Sequence, residues 1–152
     1  RSIWPATGHT QYGSLRMSNS TVIDMKVMSY IWYPKEAVLI SKNVFNNSAG
    51  FSIGGGQITF VNNKFVTKNG TDYWIDIWTG GPTIEHNSFL DEGTALVIKP
   101  GYSATVLATN NYWGTTVSTE IPSKILDYAD DISRGGPISY EPFLTEPHPD
   151  TP

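Results

Sequence analysis

Short runs of apolar and β-branched residues recur along the chain at a nearly constant interval, and the same polar signal follows each run. That signal is an Asn with an aromatic residue two positions later. The four pairs are Asn43/Phe45, Asn63/Phe65, Asn87/Phe89 and Asn111/Trp113. With Asn19 as an earlier member, the Asn positions are 24, 20, 24 and 24 residues apart. A repeat of about 20–50 residues indicates a solenoid.

The interval and the residue types favour a β-solenoid over a helical one. Helical repeats need roughly 33–47 residues and a period of 3.6, which this pattern lacks. The apolar runs are Val38–Ile40, Ile58–Val61, Thr83–Ile84 and Val106–Leu107. We therefore predict rungs of strand, Asn corner and second strand, in which each Asn adopts the left-handed conformation of a sharp turn. Stacked at ~4.8 Å, the Asn side chains would form a hydrogen-bonded ladder and the aromatic rings an interior column.

The chain is predicted to form one domain with atypical ends. Open ends of a β-coil expose unpaired backbone groups, so solenoids carry caps. We assign residues 1–144 to a single domain, with an N-terminal cap at 1–13 and a C-terminal cap at 114–144. Residues 145–152 are Pro-rich and read as a linker or tail, which implies a covalently linked neighbouring domain.

A short capping helix is predicted within the C-terminal cap. It begins at Thr119-Glu120-Ile121-Pro122, with Ser118 or Thr119 as N-cap and Pro122 tolerated in the first turn. Ile121, Ile125 and Tyr128 would share one face of this helix.

Composition and charge exclude several classes of protein. The 152 residues include 10 basic and 14 acidic side chains, for a net charge of -4, and no run of Lys or Arg. Nucleic acid is therefore not expected as a partner. No apolar stretch has membrane-spanning length. The absence of Cys excludes disulfides and a Cys-based zinc site.

Several segments resemble a known family. The stretches Asn110–Gly114, Ile125–Asp131 and Ile138–Leu144 look like the C-terminal rungs and end cap of the right-handed parallel β-helix repeat superfamily. That superfamily includes pectate-lyase-like enzymes, epimerases, phage tail spikes and secreted surface modules. The resemblance covers most of residues 14–144. It implies an all-β, right-handed parallel β-helix, here of about five to six rungs with a short C-terminal capping helix, and a broad link to polysaccharides.

The strand Tyr73–Trp78 carries the main candidate site. Alternation can turn Tyr73, Ile75 and Ile77 towards the core, which places Trp74, Asp76 and Trp78 on the outer face. The opposite parity is the alternative, although it would bury Asp76 and expose two Ile. Two rings beside a carboxylate suit a sugar, because its C–H face stacks on a ring and its hydroxyls bond to polar groups.

Neighbouring segments extend this candidate site. The two outward indoles would border a shallow trough on this face, and Lys99 would lie at one end of it. The loop Tyr30–Pro34 forms a second aromatic cluster, in which Tyr30 and Trp32 are further binding candidates. The same loop could instead be a flap that packs over the next rung.

We therefore predict a non-catalytic carbohydrate-binding module, monomeric and secreted or on the cell surface. The alternatives are a polysaccharide lyase, hydrolase or epimerase domain, and a structural or adhesive spacer. The letters Trp74-Ile75-Asp76 are similar to a pectate-lyase element, but Ile77 stands where that element has His. No catalytic residue or cofactor is assigned. Calcium is not assigned and stays only an alternative. A calcium site needs several carboxylates that converge on one point, and the candidates are scattered over loops and strand: Asp72, Asp76, Asp91 and Glu92.

Overall fold

A computed structural model describes residues 14–101 and 106–152. Residues 1–13, predicted as the N-terminal cap, lie outside the described part. In chain order the strands are β1 (Leu15–Ser18), β2 (Thr21–Ile23), β3 (Ser29–Trp32), β4 (Val38–Ser41), β5 (Val44–Asn46), β6 (Phe51–Gly54), β7 (Ile58–Val61), β8 (Lys64–Phe65), β9 (Ile75–Thr79), β10 (Thr83–Glu85), β11 (Ser88–Phe89), β12 (Leu96–Ile98), β13 (Val106–Leu107), β14 (Ile125–Leu126) and β15 (Ile138–Ser139).

Three parallel sheets run along the coil. Sheet 1 has the order β1-β4-β7-β10-β13-β15, sheet 2 the order β11-β8-β5-β2, and sheet 3 the order β14-β12-β9-β6-β3. Each strand pairs with its equivalent in the next rung, and every such pairing is parallel. The sheets stack as a β-solenoid of about 4 turns. The predicted all-β parallel coil is therefore confirmed.

The predicted Asn ladder lies inside the coil. Asn43, Asn63, Asn87 and Asn111 are fully buried. From rung to rung, the side-chain amide donates to the next Asn carbonyl oxygen over 3.0, 2.9 and 3.1 Å. Each acceptor oxygen also accepts a hydrogen bond from the backbone N–H of the preceding ladder Asn. The ladder thus satisfies backbone groups that the corners would otherwise leave unpaired in the interior.

Two details of the ladder prediction are wrong. The left-handed residue of each corner is the one before the ladder Asn: Lys42, Asn62, His86 and Asn110, with φ of 55°, 55°, 56° and 56°. Asn19 is also left-handed, at φ 51°. Because Thr21 pairs with Val44, Ser20 rather than Asn19 stands opposite Asn43. Asn19 is therefore a corner residue outside the ladder.

An aromatic column runs beside the ladder, as predicted. Ring centroids of Phe45 and Phe65 are 5.1 Å apart, those of Phe65 and Phe89 4.9 Å, and those of Phe89 and Trp113 5.2 Å. The interplanar angles are 13°, 6° and 24°. All four rings are buried. This stack follows from the register, because parallel pairing places equivalent residues one strand spacing apart.

The C-terminal segment closes the coil with a 3₁₀ helix rather than an α-helix. This helix spans Ser118–Lys124, and its N-cap is Val117, which makes no side-chain capping bond. The predicted caps Ser118 and Thr119 are therefore wrong. Ile121 and Ile125 are buried as expected, but Ile125 already belongs to β14 and Tyr128 is exposed.

The last eight residues lie against the coil. Lys42 and Asp150 form an ion pair at 3.3 Å, and the Thr151 hydroxyl donates to the His86 carbonyl over 2.8 Å. The rings of His86 and His148 are 4.3 Å apart. The tail thus contacts the left-handed corners at Lys42 and His86.

The described residues include no helix with the length and apolar character needed to cross a bilayer.

Candidate functional site

The outer face of sheet 3 gathers most of the predicted site residues. Ile31, Ile53 and Ile77 stack in the core of the coil, so the alternate positions of the same strands face outward. We call the side chains on this face the outer cluster; it consists of Tyr30, Trp32, Ser52, Tyr73, Asp76, Trp78 and Lys99.

Two indoles form the centre of the outer cluster. The ring centroids of Trp32 and Trp78 are 5.2 Å apart, with planes inclined at 52°. Gly54 lies between their strands, and a Cβ placed there would be 3.6 Å from the Trp78 Cβ and 3.9 Å from the Trp32 ring. The indole N–H of Trp78 donates to the Ser52 hydroxyl over 3.1 Å. A Cβ at Gly54 would therefore make ordinary van der Waals contact with both residues.

A charged pair lies beside the indoles. The Lys99 ammonium is 3.4 Å from a carboxylate oxygen of Asp76 and donates to the Tyr73 hydroxyl over 2.7 Å. It also lies 4.5 Å from the Tyr73 ring centroid and 6.0 Å from that of Trp78. Burial acts to lower the pKa of Lys99, but the bond to Tyr73 and the attraction to Asp76 outweigh it and raise that pKa above its ordinary value. Lys99 therefore stays charged.

Asp76 faces outward but is only 3% exposed, because neighbouring side chains of the cluster cover it. Its Oδ1 has no hydrogen-bond partner among the described residues, and the same is true of the buried Trp32 Nε1. Both atoms are buried beneath the neighbouring side chains, so neither is exposed on the surface of the outer cluster.

The prediction that Trp74 faces solvent is wrong. Trp74 is fully buried, and its ring centroid is 5.0 Å from that of Phe65. The amides of Trp74 and Ile75 both donate to the Ala95 carbonyl, so regular alternation begins only at Ile75. Two consecutive side chains consequently enter the core, and Trp74 is not part of the outer cluster.

Small residues flank Trp74 in the two adjacent rungs. Because Phe51, Ile75 and Leu96 are in register, the residues just before them, Gly50 and Ala95, flank Trp74 in the adjacent rungs. A Cβ at Gly50 would clash with the Trp74 carbonyl. Gly50 therefore allows the backbone of the next rung to approach closely at Trp74.

The inward prediction for Tyr73 is also wrong, because its half-buried side chain bonds to Lys99 on the outer face. Tyr73 and Ser52 are thus the members of the outer cluster that the predicted site did not include. Tyr73 precedes β9, where alternation does not yet apply.

The segment predicted as an aromatic loop is strand as far as Trp32, where β3 ends, and only Tyr33 and Pro34 lie beyond it. Tyr30 is 54% exposed on the outer face, in register with Ser52 and through it with Asp76. Tyr33 and Pro34 instead cover the next rung, where a Cβ on Gly55 or Gly56 would clash with them. The flap is therefore present, but it starts after Trp32.

The described residues contain no group of three or more His, Cys, Asp or Glu side chains that could hold a metal ion. Comparisons with protein-family models, with curated proteins and with solved structures find no match to this chain.

Proposed function

We propose that the chain is a non-catalytic carbohydrate-binding module, and that its polysaccharide ligand lies on the outer face of sheet 3. One observation carries the proposal: Tyr30, Trp32 and Trp78 share a face with the Asp76–Lys99 pair. Aromatic rings offer apolar area for sugar C–H faces, and the adjacent polar groups bond to hydroxyls. Such a role belongs to a secreted or cell-surface protein.

The rings are held in place before any ligand arrives. Trp78 is tied to Ser52, and Trp32 contacts both Trp78 and the edge of Tyr33, 6.3 Å away. The strands beneath them belong to a continuous parallel sheet. A preformed platform lowers the entropy lost on binding, which supports a binding role.

The charged pair favours binding over catalysis. A lyase needs a general base that is unprotonated near neutral pH, so that it can accept a proton from the substrate. The raised pKa of Lys99 keeps its ammonium protonated. Glycoside hydrolysis needs two opposed carboxyl groups, and the outer cluster contains one, in an ion pair with Lys99.

Binding measurements on matched tyrosines test the proposal. Tyr30 and Tyr128 are both 54% exposed, but only Tyr30 belongs to the outer cluster. In affinity electrophoresis over a polysaccharide panel, Tyr30→Ala and Trp78→Ala should each lose about 1–2 kcal/mol of binding free energy, the scale of an aromatic anchor. Tyr128→Ala should bind like the wild type. Melting curves identify any variant that loses binding by unfolding. Equal affinity of all three variants and the wild type for every bound polysaccharide would contradict the proposal.

A further inference from the structure

The aromatic rings on the outer face of sheet 3 lie in different planes. The ring planes of Trp32 and Trp78 are inclined at 52°, and the ring of Tyr33 is inclined at 69° to that of Trp32. Tyr33 is 47% exposed, and both indoles are half-buried. The three rings therefore form a bent aromatic surface, and Trp32 cannot lie flat against the same plane as either of its neighbours.

The packing of the cluster holds this bend. Because β6 separates β3 from β9, the backbones of these two strands are about 9.6 Å apart, twice the strand spacing. The ring centroids of Trp32 and Trp78 are only 5.2 Å apart, so the two indoles lean towards each other over β6. The Ser52 hydroxyl in β6 accepts the Trp78 indole N–H over 3.1 Å and ties that ring in its inclined position.

A bent aromatic surface discriminates between two physical states of a polysaccharide. A crystalline polysaccharide presents a flat face of aligned chains, which can stack on several rings only if those rings share a plane. A single chain can rotate about the bonds between its sugars, so successive sugars can stack on rings that are inclined to one another. Each sugar face then gains its own ring contact, which offsets the entropy lost when the chain is ordered.

The polar end of this surface is the Lys99 ammonium. Its side chain is 25% exposed, and the ammonium lies 6.0 Å from the Trp78 ring centroid. An ammonium has three N–H donors, of which Asp76 and the Tyr73 hydroxyl engage two. The third can donate to a sugar hydroxyl. From β3 to β12, which Lys99 follows, the face spans three strand spacings, about 14 Å, which is room for about three sugar units.

We propose that the outer face of sheet 3 binds a short stretch of a single glycan chain, about three sugar units long, and not the flat face of a crystalline polysaccharide; this inference rests on the proposed carbohydrate-binding function. Trp32 and Trp78 stack on sugars that lie in different planes, and Lys99 donates to a hydroxyl at one end of the bound stretch.

Paired forms of one polymer test the inference. Soluble glucans, mannans, galactans and xylans are first screened by affinity electrophoresis. The wild-type protein is then titrated with cellulose and with chitin, each in a crystalline and in an amorphous form. We expect binding to at least one soluble or amorphous polymer, and binding to a crystalline form that is about tenfold or more weaker than to the amorphous form. Binding of a soluble polymer alone also supports the inference, because a single chain then suffices.

Fragments of the bound polymer measure the length of the site. Oligosaccharides of increasing length are titrated by calorimetry. Because the surface is about 14 Å long, affinity should rise up to about three sugar units and then remain constant within about threefold.

Ring variants locate the binding surface. Trp32→Leu keeps an apolar side chain but removes the ring, and should weaken binding of the soluble polymer about fivefold or more. Tyr33→Leu should weaken it in the same direction. Tyr128→Leu is the matched control, because Tyr128 is 54% exposed but lies outside the outer cluster, and it should bind like the wild type. Melting curves show which variants are folded, and Tyr33→Leu decides if Trp32→Leu is not.

The outcomes separate the two proposals. Equal or tighter binding of a crystalline form than of its amorphous form overturns the single-chain inference while the carbohydrate-binding function stands. Affinity that still rises about tenfold beyond three sugar units, or folded Trp32 and Tyr33 variants with wild-type affinity, also overturns it. Failure to bind any polymer overturns the binding function and the inference with it.

Discussion

The interior of the coil and the outer face of sheet 3 are built on the same rungs but follow different rules. Inside, one residue type recurs at each level, as in the ladder from Asn43 to Asn111. Outside, neighbouring rungs place Tyr30, Ser52 and Asp76 at one level. Repetition inside satisfies buried amides and fills space uniformly, whereas variation outside forms a local surface with specific chemistry.

This difference determines what a substitution should do. An interior residue is packed against equivalents in the rungs on both sides, so its loss affects folding. An exposed ring of the outer cluster, such as Tyr30, contacts few neighbours, so its loss should affect binding more than stability.

Trp74→Ala and Phe65→Ala should have the largest effect on stability. Both side chains are fully buried and contact each other. Each deletion should cost about 3–5 kcal/mol of unfolding free energy, the scale for a buried aromatic residue. Denaturant unfolding monitored by circular dichroism measures the loss. A cost below about 1 kcal/mol for Trp74→Ala would show that this ring is not in the core.

Asn63→Ala should lower the free energy of unfolding by about 2–3 kcal/mol. The Asn63 amide donates to Asn87 and to the Ile40 carbonyl, and its oxygen accepts from Asn43. Removing it leaves several buried polar groups unpaired, each of which costs about 1–3 kcal/mol before relaxation.

Asn46→Ala is the matched control for this prediction, because Asn46 lies in the same region but outside the ladder. Asn46 is half-buried in β5, and Asn46→Ala should lower the free energy of unfolding by at most about 1 kcal/mol. Equal melting temperatures for the Asn63 and Asn46 variants would show that the ladder does not contribute to stability.

Truncation after Leu144 should cost at most about 1 kcal/mol. The tail is held by the exposed Lys42–Asp150 pair, by one hydroxyl bond and by the His86–His148 contact. Exposed ion pairs contribute about 0–1 kcal/mol. Thermal unfolding of the truncated and full chains gives the difference, and loss of cooperative unfolding would show that the tail belongs to the core domain.

The smallest effect is the alkaline dependence of the Lys99 interactions. Folding raises the pKa of Lys99 above 10.5. The stability that the charged Lys99 contributes is therefore complete below that pH and is lost as the pH rises through the folded-state pKa. The melting-temperature difference between wild type and Lys99→Met should therefore be constant below about pH 10 and shrink above it. The exposed Lys26→Met serves as control, and a Lys99 difference that grows with pH would contradict the assignment.

The sequence predicted the interior better than the site, for a physical reason. The repeat of Asn and aromatic residues specifies rungs, ladder and column together, because parallel register stacks equivalent positions. The corner conformation was misassigned by one residue, since the left-handed residue before each ladder Asn has no constant identity: it is Lys42, Asn62, His86 or Asn110. Orientation at the start of β9 was also misassigned, because Trp74 and Ile75 share one acceptor and interrupt the alternation. The contacts of Tyr73 and Ser52 depend on neighbouring rungs and carry no local signal.

Nuclear magnetic resonance of the indole N–H groups tests the central claim most directly. The chain has five Trp, of which Trp32 and Trp78 lie in the outer cluster while Trp74 and Trp113 are in the core. Titration with a bound polysaccharide fragment should shift the Trp32 and Trp78 signals progressively and leave those of Trp74 and Trp113 in place. Saturable binding that moves neither the Trp32 nor the Trp78 signal would contradict a glycan site on the outer face of sheet 3.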